Sequence, residues 1–269
     1  MENHSYDEII GPAGSSAAGN APYTNSLANA CGLATNYHNV THPSLPNYLS
    51  SVAGTTSGVQ SDCAPADCPQ TTPTLFGQLD SVHRSWRGYD ESMPTNCDTE
   101  SVGNYAAKHN PAVYYPALSS VCAASDVPMG STSGAFATAL TSGALPAFSF
   151  VTPDICDDTH DCPIATGDHW LSTWVPRIVG SPAYRDGEVV LFITWDEGSG
   201  DSTSGCATNT TASDCHVATL VVSPSTPAGS RSGVLFNHYA LLRTTEQLLG
   251  LGFLGAAAQA TSMRTAFRL

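Results

Sequence analysis

The stretch His42-Pro-Ser-Leu-Pro-Asn-Tyr-Leu-Ser-Ser-Val-Ala-Gly54 predicts a turn that opens a helix, and the rest of the chain is organised around it. Pro43 and Pro46 suit such an entry, because their fixed φ is already helical, and apolar residues then recur at helical spacing. Ser44 lies at the predicted helix N-terminus, where backbone N–H groups converge and the dipole favours negative charge. Its hydroxyl is therefore either a candidate nucleophile for a phosphate or simply the cap of the helix.

The composition is that of an acidic globular chain with enough apolar residues for a full core. The 269 residues include 9 Lys or Arg and 23 Asp or Glu, for a formal net charge of −14, and Lys108 is the one lysine. This length suits a single α/β domain, which we place over residues 1–269. So acidic a balance argues against nucleic acid and anionic membranes as partners. No apolar run approaches the ~20 residues of a membrane span, so we expect no stable membrane insertion, and the oligomeric state is left open.

Nine cysteines predict an oxidising, extracytoplasmic compartment, because free thiols are rarely this numerous in a cytosolic enzyme. The tight C-x₂-C pattern of a zinc site is not present. Proximity in the sequence predicts four local disulfides and leaves Cys31 over: Cys63/Cys68, Cys97/Cys122, Cys156/Cys162 and Cys206/Cys215. We therefore expect a secreted protein. The start at Met1 is too polar for a signal peptide, so we expect either a mature or trimmed chain or a wrongly assigned start.

Apolar runs alternating with helical patterns predict an α/β fold. Runs rich in β-branched and aromatic residues lie at 145–154, 188–197 and 216–224. Helical patterns lie at 75–86, 169–179 and 239–250, whereas 1–30 is predicted to be loop and 92–130 irregular. This alternation implies a mainly parallel central sheet with helices on both faces. Ligands bind such sheets beyond the carboxyl ends of the strands, where Asp154, Asp196 and Glu197 fall in the sequence.

Two pairs of neighbouring residues could hold a cation or a phosphate. Asp196 and Glu197 follow a predicted strand, and two carboxylates in one pocket repel unless a cation holds them ionised. The pair is therefore either half of a metal site or a solvated turn. Glu2 and Asn3 place another acid beside an amide, which can contact a phosphate oxygen or a metal.

One histidine lies in a strongly acidic loop. His160 belongs to Asp154-Ile-Cys-Asp-Asp-Thr-His-Asp-Cys162, where the aspartates should raise its pKa and favour a role as cationic phosphate ligand or general acid. The same aspartates could instead be metal ligands, or the loop could be merely solvated. His109 and His216 are weaker candidates, since local hydrogen bonds alone can explain such histidines.

Taken together and in order, seven motifs resemble those of the phosphoesterase family of secreted acid phosphatases and phosphatidylcholine-preferring phospholipases C, within the alkaline-phosphatase-like superfamily. They are Met1-Glu-Asn-His-Ser-Tyr-Asp7, His42-Pro-Ser-Leu-Pro-Asn-Tyr48, Ser85-Trp-Arg-Gly-Tyr-Asp-Glu-Ser-Met-Pro94, Lys108-His-Asn-Pro111, Pro153-Asp-Ile-Cys-Asp-Asp-Thr-His160, Thr194-Trp-Asp-Glu-Gly198 and Asn237-His-Tyr-Ala-Leu-Leu-Arg-Thr-Thr-Glu246. Each motif is weak alone, but the ordered set is specific and spans nearly the whole chain.

The resemblance implies a role for each matching residue. Ser44 matches the nucleophile, and Glu2, Asp196 and Glu197 match acids that, with Ser44, hold one divalent metal ion. Groups that contact the phosphate are matched by Asn3, by His160 and, less closely, by His109. The least certain assignments are Asp154, Asp157 and His216.

The resemblance implies a hydrolase of phosphate esters that passes through a phosphoserine. We expect a phosphomonoesterase acting on small soluble esters. A phospholipase C is the alternative, although such an enzyme would need an apolar or aromatic entrance near Ser44 and usually further domains. A catalytically silent secreted binding protein is a third reading. One departure is that the family's apolar first strand, which ends in the Glu-Asn pair, is missing before Glu2, so we expect that strand to lie upstream of Met1.

Overall fold

The computed structural model describes residues 1–200 and 205–269. Within them the α-helices are α1 (Tyr6–Ile9), α2 (Ser16–Asn20), α3 (Pro22–Ala30), α4 (Ser44–Ala53), α5 (Leu75–Ser81), α6 (Ser119–Ser125), α7 (Ala135–Ser142), α8 (Ile164–Val179), α9 (Pro182–Arg185), α10 (His238–Leu249) and α11 (Arg264–Phe267). Short 3₁₀ helices lie at Ala107–His109, Pro111–Tyr114, Pro116–Leu118, Cys206–Thr208, Ser213–Cys215 and Gly255–Ala258. The strands are β1 (Gly32–Ala34), β2 (Tyr37–His38), β3 (Trp86–Asp90), β4 (Asp126–Pro128), β5 (Phe148–Thr152), β6 (Leu191–Thr194), β7 (Thr219–Val222), β8 (Arg231–Ser232) and β9 (Phe236–Asn237).

The described strands form three sheets, most of whose pairings are parallel. One sheet has the order β4-β3-β5 and is parallel throughout, with Trp86 opposite Phe148 and Asp90 opposite Thr152. A second has the order β6-β7-β1-β8, and there β7 runs antiparallel to both of its neighbours. β2 and β9 form a short parallel pair. The predicted strands at β5, β6 and β7 and the predicted helices at α4, α5, α8 and α10 are all present.

The end of β6 is joined to the first residues of the chain. The amine of Met1 donates to the carbonyl of Thr194 at 3.3 Å, and the amide of Asp196 donates to the carbonyl of Met1 at 2.9 Å. Met1 therefore lies alongside the last residues of β6. This pairing carries Glu2 to the edge of the sheet at which Asp196 emerges.

Helix α4 is buried on nearly all sides, which fits its mostly apolar sequence. Leu45, Leu49 and Val52 are 0% exposed and pack in one cluster with residues of α5 and α10. The helix ends at Gly54, whose φ of 69° lies in the left-handed region. A Cβ at that position would lie 2.3 Å from the carbonyl oxygen of Leu254, so both the dihedral angle and the close backbone approach require glycine.

The prediction that residues 1–30 form a loop is wrong, because this segment contains α1, α2 and α3. α1 begins with a local capping box, in which the amide of Ser5 donates to the Glu8 carboxylate at 2.8 Å. The support of α3, by contrast, comes from hydrogen bonds that local composition does not reveal. At the start of α3, the carboxylate of Asp168 accepts the amides of Tyr23 at 2.9 Å and Thr24 at 2.7 Å, from 144 and more residues away in the sequence.

The prediction of irregular structure over 92–130 is wrong for its last part, where α6 and β4 lie. β4 is stabilised by its parallel pairing with β3, and α6 is tied down by the Cys97–Cys122 disulfide. The four predicted disulfides are all present, and Cys31 is free. Within 1–200 and 205–269, none of the helices combines the length and the apolar character that crossing a bilayer requires.

Candidate active site

Ser44 is the first residue of α4, and its side chain lies among carboxylates. The residue is only 1% exposed. Its hydroxyl donates to Oε2 of Glu2 at 3.0 Å and is 3.4 Å from Oε1 of Glu197. Although 42 and 153 residues separate Ser44 from these two acids, the fold brings all three together.

Glu2 is fixed on several sides by α4 and by the loop that follows β5. The hydroxyl of Tyr48, one helical turn after Ser44, donates to Oε1 of Glu2 at 2.5 Å. The backbone amide of Glu2 donates to the carbonyl of Asp158 at 2.8 Å, and the hydroxyl of Thr159 donates to the carbonyl of Glu2 at 2.8 Å. Glu2 is 0% exposed, so this carboxylate is held in a single position by hydrogen bonds.

The acids after β6 are held in the same way. The Asn47 side-chain amide donates to Oε2 of Glu197 at 3.2 Å, and Nδ1 of His42 lies 3.1 Å from the same oxygen. The carbonyl of Asp196 lies 2.6 Å from Nε2 of the buried His238. The backbone turn that follows β6 therefore places both carboxylates on the side of the sheet edge where Ser44 lies.

The carboxylates of this cluster repel one another, so a positive charge among them would stabilise their ionised forms. Burial, together with the charges of Glu2 and Glu197, raises the pKa of Asp196 well above its ordinary value. Burial also raises the pKa of Glu197, in opposition to its hydrogen bond with His42. For His42, burial works against the charged form, but the hydrogen bond and charge of Glu197 raise the pKa overall.

The donor atoms fit a divalent cation. Oδ2 of Asp196 is buried and has no hydrogen-bond partner among the described residues. Carboxylate and hydroxyl oxygens are the donors that hard divalent cations prefer. Ring nitrogens of His109 and His160 also lie within 4.8 Å of each other and of a Glu2 carboxylate oxygen, a spacing that permits metal binding. The described residues thus include groups able to hold a metal ion.

The two predicted phosphate-contacting histidines differ in their surroundings. His109 is 2% exposed and lies between two acids, with Nε2 3.4 Å from Oε1 of Glu2 and Nδ1 3.1 Å from Oδ2 of Asp158. Burial lowers its pKa to about 4, so the ring is neutral near pH 7. His160 is more open, with its side chain 27% exposed, and Nδ1 lies 2.6 Å from Oδ1 of Asp161.

Asn3 lies at the rim of the same cluster. Its φ of 55° is in the left-handed region, which asparagine tolerates better than most residues. Its amide N–H is 3.4 Å from Oδ1 of Asp196, and its backbone carbonyl accepts a hydrogen bond from Ser199. The backbone contacts thus anchor Asn3 beside the acids.

The less certain candidates lie in other clusters. Asp154 accepts hydrogen bonds from Ser92 and Asn104, and carboxylate oxygens of Asp154, Asp157 and Glu91 lie within 4.8 Å of one another. His216 stacks on the Tyr6 ring at a centroid distance of 4.3 Å, and its Nε2 lies 3.2 Å from the carbonyl of Thr35. No hydrogen bond or ion pair among the described residues joins these three candidates to Ser44 or to the acids around it.

Sequence analysis missed several residues that complete the site. His42, Asn47, Tyr48 and Asp158 each contact a predicted site residue. Tyr48 was detectable, because a residue four positions after Ser44 lies on the same face of a helix. His42 and Asn47 lie in the quoted motif, but their partner Glu197 is 150 or more residues away.

The chain is similar to known proteins over most of its length. The chain matches the model of the Phosphoesterase family over residues 12–252. It is 32% identical over 260 residues to a phosphatidylinositol-3-phosphatase of Mycobacterium tuberculosis. The alignment covers 96% of this chain and 78% of that relative. It is 28% identical over 235 residues to an acid phosphatase of Aspergillus fumigatus, with 83% of this chain covered. This chain spans about half (49%) of the length of that fungal relative.

The fold is similar to that of a solved protein in the alkaline phosphatase superfamily from Vibrio parahaemolyticus. The TM-score is 0.65 at 10% sequence identity, with 99% of this chain and 70% of the other covered. The predicted α/β class with its disulfide-pinned loops is thereby confirmed. The prediction of an enzyme that hydrolyses phosphoric esters is confirmed at that level by the family match and by the named relatives. Because the match extends over most of its length, the chain belongs to the Phosphoesterase family.

Proposed function

We propose that this chain is a phosphomonoesterase in which Ser44 is the nucleophile and a phosphoserine is the intermediate. One observation carries the proposal: the Ser44 hydroxyl is hydrogen-bonded to Glu2 at 3.0 Å and lies 3.4 Å from Glu197 in a buried cluster. A serine that served only as a helix cap would bond to backbone amides of its own helix. Ser44 bonds instead to acids from two distant segments.

The proposed metal ligands are Glu2, Asp196, Glu197 and the hydroxyl of Ser44, and one divalent ion is proposed. The buried, unpartnered Oδ2 of Asp196 supports this assignment. When bound, such an ion lowers the pKa of a hydroxyl and offsets charge on phosphoryl oxygens. The identity of the ion does not follow from these donors.

The residues of the chain itself supply position, proton acceptance and charge. Ser44 Oγ attacks phosphorus as the bond to the leaving oxygen breaks, its proton passes to the Glu2 carboxylate, and the leaving oxygen takes a proton from solvent and departs as the alcohol. Water then attacks the phosphoserine and gives up a proton to solvent, the bond between phosphorus and Ser44 breaks, Oγ takes its proton back from Glu2, and phosphate leaves. Asn3 and His160, at the half-exposed rim, are proposed to donate hydrogen bonds to the non-bridging oxygens.

A small phosphate monoester is the proposed substrate. Both named relatives are phosphatases, and one is named for a phosphate on an inositol ring, which supports a monoester over a diester. A phospholipase C activity is the diester alternative. We also propose that the chain is secreted, since four disulfides are typical of an oxidising compartment outside the cytoplasm.

The first test is Ser44→Ala, with Ser51→Ala on the same helix as the matched control. Ser51 makes only a local bond to the Tyr48 carbonyl, so its loss should leave hydrolysis of p-nitrophenyl phosphate unchanged. Ser44→Ala should lower kcat by about 10³-fold or more, with an unchanged circular dichroism spectrum. Near-wild-type turnover in Ser44→Ala would rule out the proposed nucleophile.

Chelation of the wild-type enzyme belongs to the same experiment. Activity should disappear after dialysis against a chelator and return on adding back a divalent ion, whereas full activity without metal would rule out the metal role. Comparing p-nitrophenyl phosphate with p-nitrophenyl phosphorylcholine separates the two substrate classes. Preference for the choline diester would favour the phospholipase C.

A further inference from the structure

The sequence contains one lysine in 269 residues, and the fold places it beside the candidate active site. Lys108 belongs to the short 3₁₀ helix Ala107–His109, next to the buried His109. Its Nζ lies 2.9 Å from Oδ2 of Asp62 and 3.4 Å from Nε2 of His160. The ammonium group of this one lysine is therefore in contact with His160, which is already proposed to bind phosphate.

Asp62 connects this ammonium to the start of α4. While one of its carboxylate oxygens accepts from Lys108, the other accepts the backbone amide of Leu45 at 3.0 Å. Leu45 directly follows Ser44. The ammonium group is thus linked through Asp62 to the helix N-terminus, and the charges of Glu2 and Asp196 act on it.

The location of Lys108 differs from that of the acids beneath it. Ser44, Glu2 and His109 are at most 2% exposed, whereas the side chains of Lys108 and His160 are 25% and 27% exposed. A substrate that approaches Ser44 from solvent on this side meets Lys108 and His160 first. The Lys108 side chain is therefore held by Asp62 and partly open to solvent.

The negative charge of the site favours a cationic group beside the bound phosphate. Glu2, Asp196 and Glu197 bring three carboxylates together, and a phosphate monoester adds up to two further negative charges. Among the described residues, no arginine forms a hydrogen bond or an ion pair with Ser44 or with these acids. Lys108, by contrast, contacts His160, a residue of the same site.

We propose that the Lys108 ammonium binds a non-bridging oxygen of the phosphate ester, which makes it a further catalytic residue of this site. This inference rests on the proposed function. Asp62 has a positioning role, since it holds the ammonium at the helix N-terminus while also accepting the Leu45 amide. The competing explanation is that Lys108 and Asp62 form an ion pair that only stabilises the loop.

The first experiment compares Lys108→Gln and Lys108→Arg with Ser44→Ala and with Arg231→Gln. The last variant removes one positive charge at an exposed residue that bonds to Asn29, so it controls for net charge. Lys108→Gln should lower kcat/KM for p-nitrophenyl phosphate and raise the inhibition constant of inorganic phosphate, each by about 10- to 100-fold. In Lys108→Arg, kcat/KM and the inhibition constant of phosphate should stay close to their wild-type values. Arg231→Gln should change neither quantity.

The outcomes separate the two proposals. If Lys108→Gln retains wild-type kcat/KM and phosphate inhibition while Ser44→Ala is inactive, the role of Lys108 is wrong and the proposed function stands. If Ser44→Ala is fully active, the proposed function fails first. If Lys108→Gln lowers turnover but leaves phosphate inhibition unchanged, Lys108 does not bind the phosphoryl group and the inference is overturned.

A second experiment needs no variant, because Lys108 is the one lysine and its peptide is read separately from that of the Met1 amine, which also reacts. Acetylation of Lys108 by an N-hydroxysuccinimide ester is followed by mass spectrometry of the peptide that contains it. Saturating inorganic phosphate should slow this modification at least about fivefold if the ammonium binds phosphate. An unchanged rate of modification in phosphate would overturn the inference, even if Lys108→Gln fails to fold.

Discussion

At the scale of single residues, the site depends on how each acid is held. Tyr48 illustrates this, because its hydroxyl donates to Glu2 at 2.5 Å while its ring stacks on His109 at a centroid distance of 5.2 Å. The ring thus orders the histidine and the hydroxyl orders the acid. One side chain of α4 thereby positions two residues from outside the helix.

Tyr48→Phe should therefore weaken the site without disrupting the packing. The ring and its stacking remain, but a buried carboxylate loses one of its two hydroxyl donors, which should cost about 1–3 kcal/mol of unfolding free energy. We expect kcat/KM to fall about tenfold, since the Glu2 carboxylate would be held less firmly. Urea unfolding and steady-state kinetics measure the two effects.

Tyr114→Phe is the matched control for this prediction. Tyr114 is also buried, and its hydroxyl donates to the carbonyl of Cys63 at 2.7 Å, so the same atom is removed away from Glu2. It should lose stability but keep its activity. Equal kinetics in both variants would show that the Tyr48 hydroxyl does not position Glu2.

The proposed catalytic residues could be named from the sequence, and the residues that support them could not. Ser44, Glu2, Asp196 and Glu197 belong to short motifs that are weak alone but specific in their order along the chain. The bond from Asn47 to Glu197 depends on a pairing across 150 residues, which no local pattern encodes. Residues that orient a site through such contacts have to be read from the fold.

At the scale of elements, the end of α4 shows how a helix is fitted into its surroundings. Gly54 and Gly143 both end helices with left-handed φ values, of 69° and 71°. They differ in their neighbours, because a Cβ at Gly54 would lie 2.3 Å from the carbonyl oxygen of Leu254 whereas a Cβ at Gly143 meets nothing within 4 Å.

This contrast predicts unequal costs for the same substitution. Gly143→Ala should lower the unfolding free energy by about 1 kcal/mol, the cost of a left-handed alanine. Gly54→Ala should cost about 3 kcal/mol or more, because the backbone must also move. Denaturant unfolding of the two variants gives the difference directly, and equal losses would contradict the steric argument.

Elements with their own periodicity were the predictable ones. The amphipathic α10 and the β-branched β6 were found because burial imposes a visible pattern on them. The helices within 1–30 were missed, since α3 is stabilised at its start by Asp168, far away in the sequence. The antiparallel direction of β7 was not foreseen either, because strand direction is set by chain topology rather than by composition.

At the scale of the whole molecule, buried acids make stability depend on pH. Glu246 is 0% exposed, one carboxylate oxygen accepts the Leu254 amide at 2.8 Å, and burial raises its pKa to about 7. The folded state therefore binds this proton more tightly than the unfolded state, where the pKa is about 4.3. Burial likewise raises the pKa values of Glu91 and Asp90.

The sign of the effect follows from that difference. The contribution of protonated Glu246 to the free energy of unfolding is fully present below about pH 4.3 and is lost as the pH rises to about 7. Glu246→Gln should therefore gain on the order of 2 kcal/mol over the wild type at pH 8 and gain nothing at pH 4.5. Urea unfolding at both pH values measures this, and a variant that is less stable than the wild type at pH 8 would contradict it.

Three of the four disulfides close short loops that reach the site. Cys63 follows the Asp62 that holds Lys108, the Cys156–Cys162 ring encloses Asp158 and His160, and Cys215 follows the Asp214 beside His42. Each of these rings carries or adjoins a residue that contacts the site, so the geometry around Ser44 depends on all three. A copy with reduced cysteines would therefore lack the loop closures that hold Asp62, Asp158 and Asp214 in place. For a secreted phosphatase, as proposed above, oxidation of these thiols would be the step that completes the site.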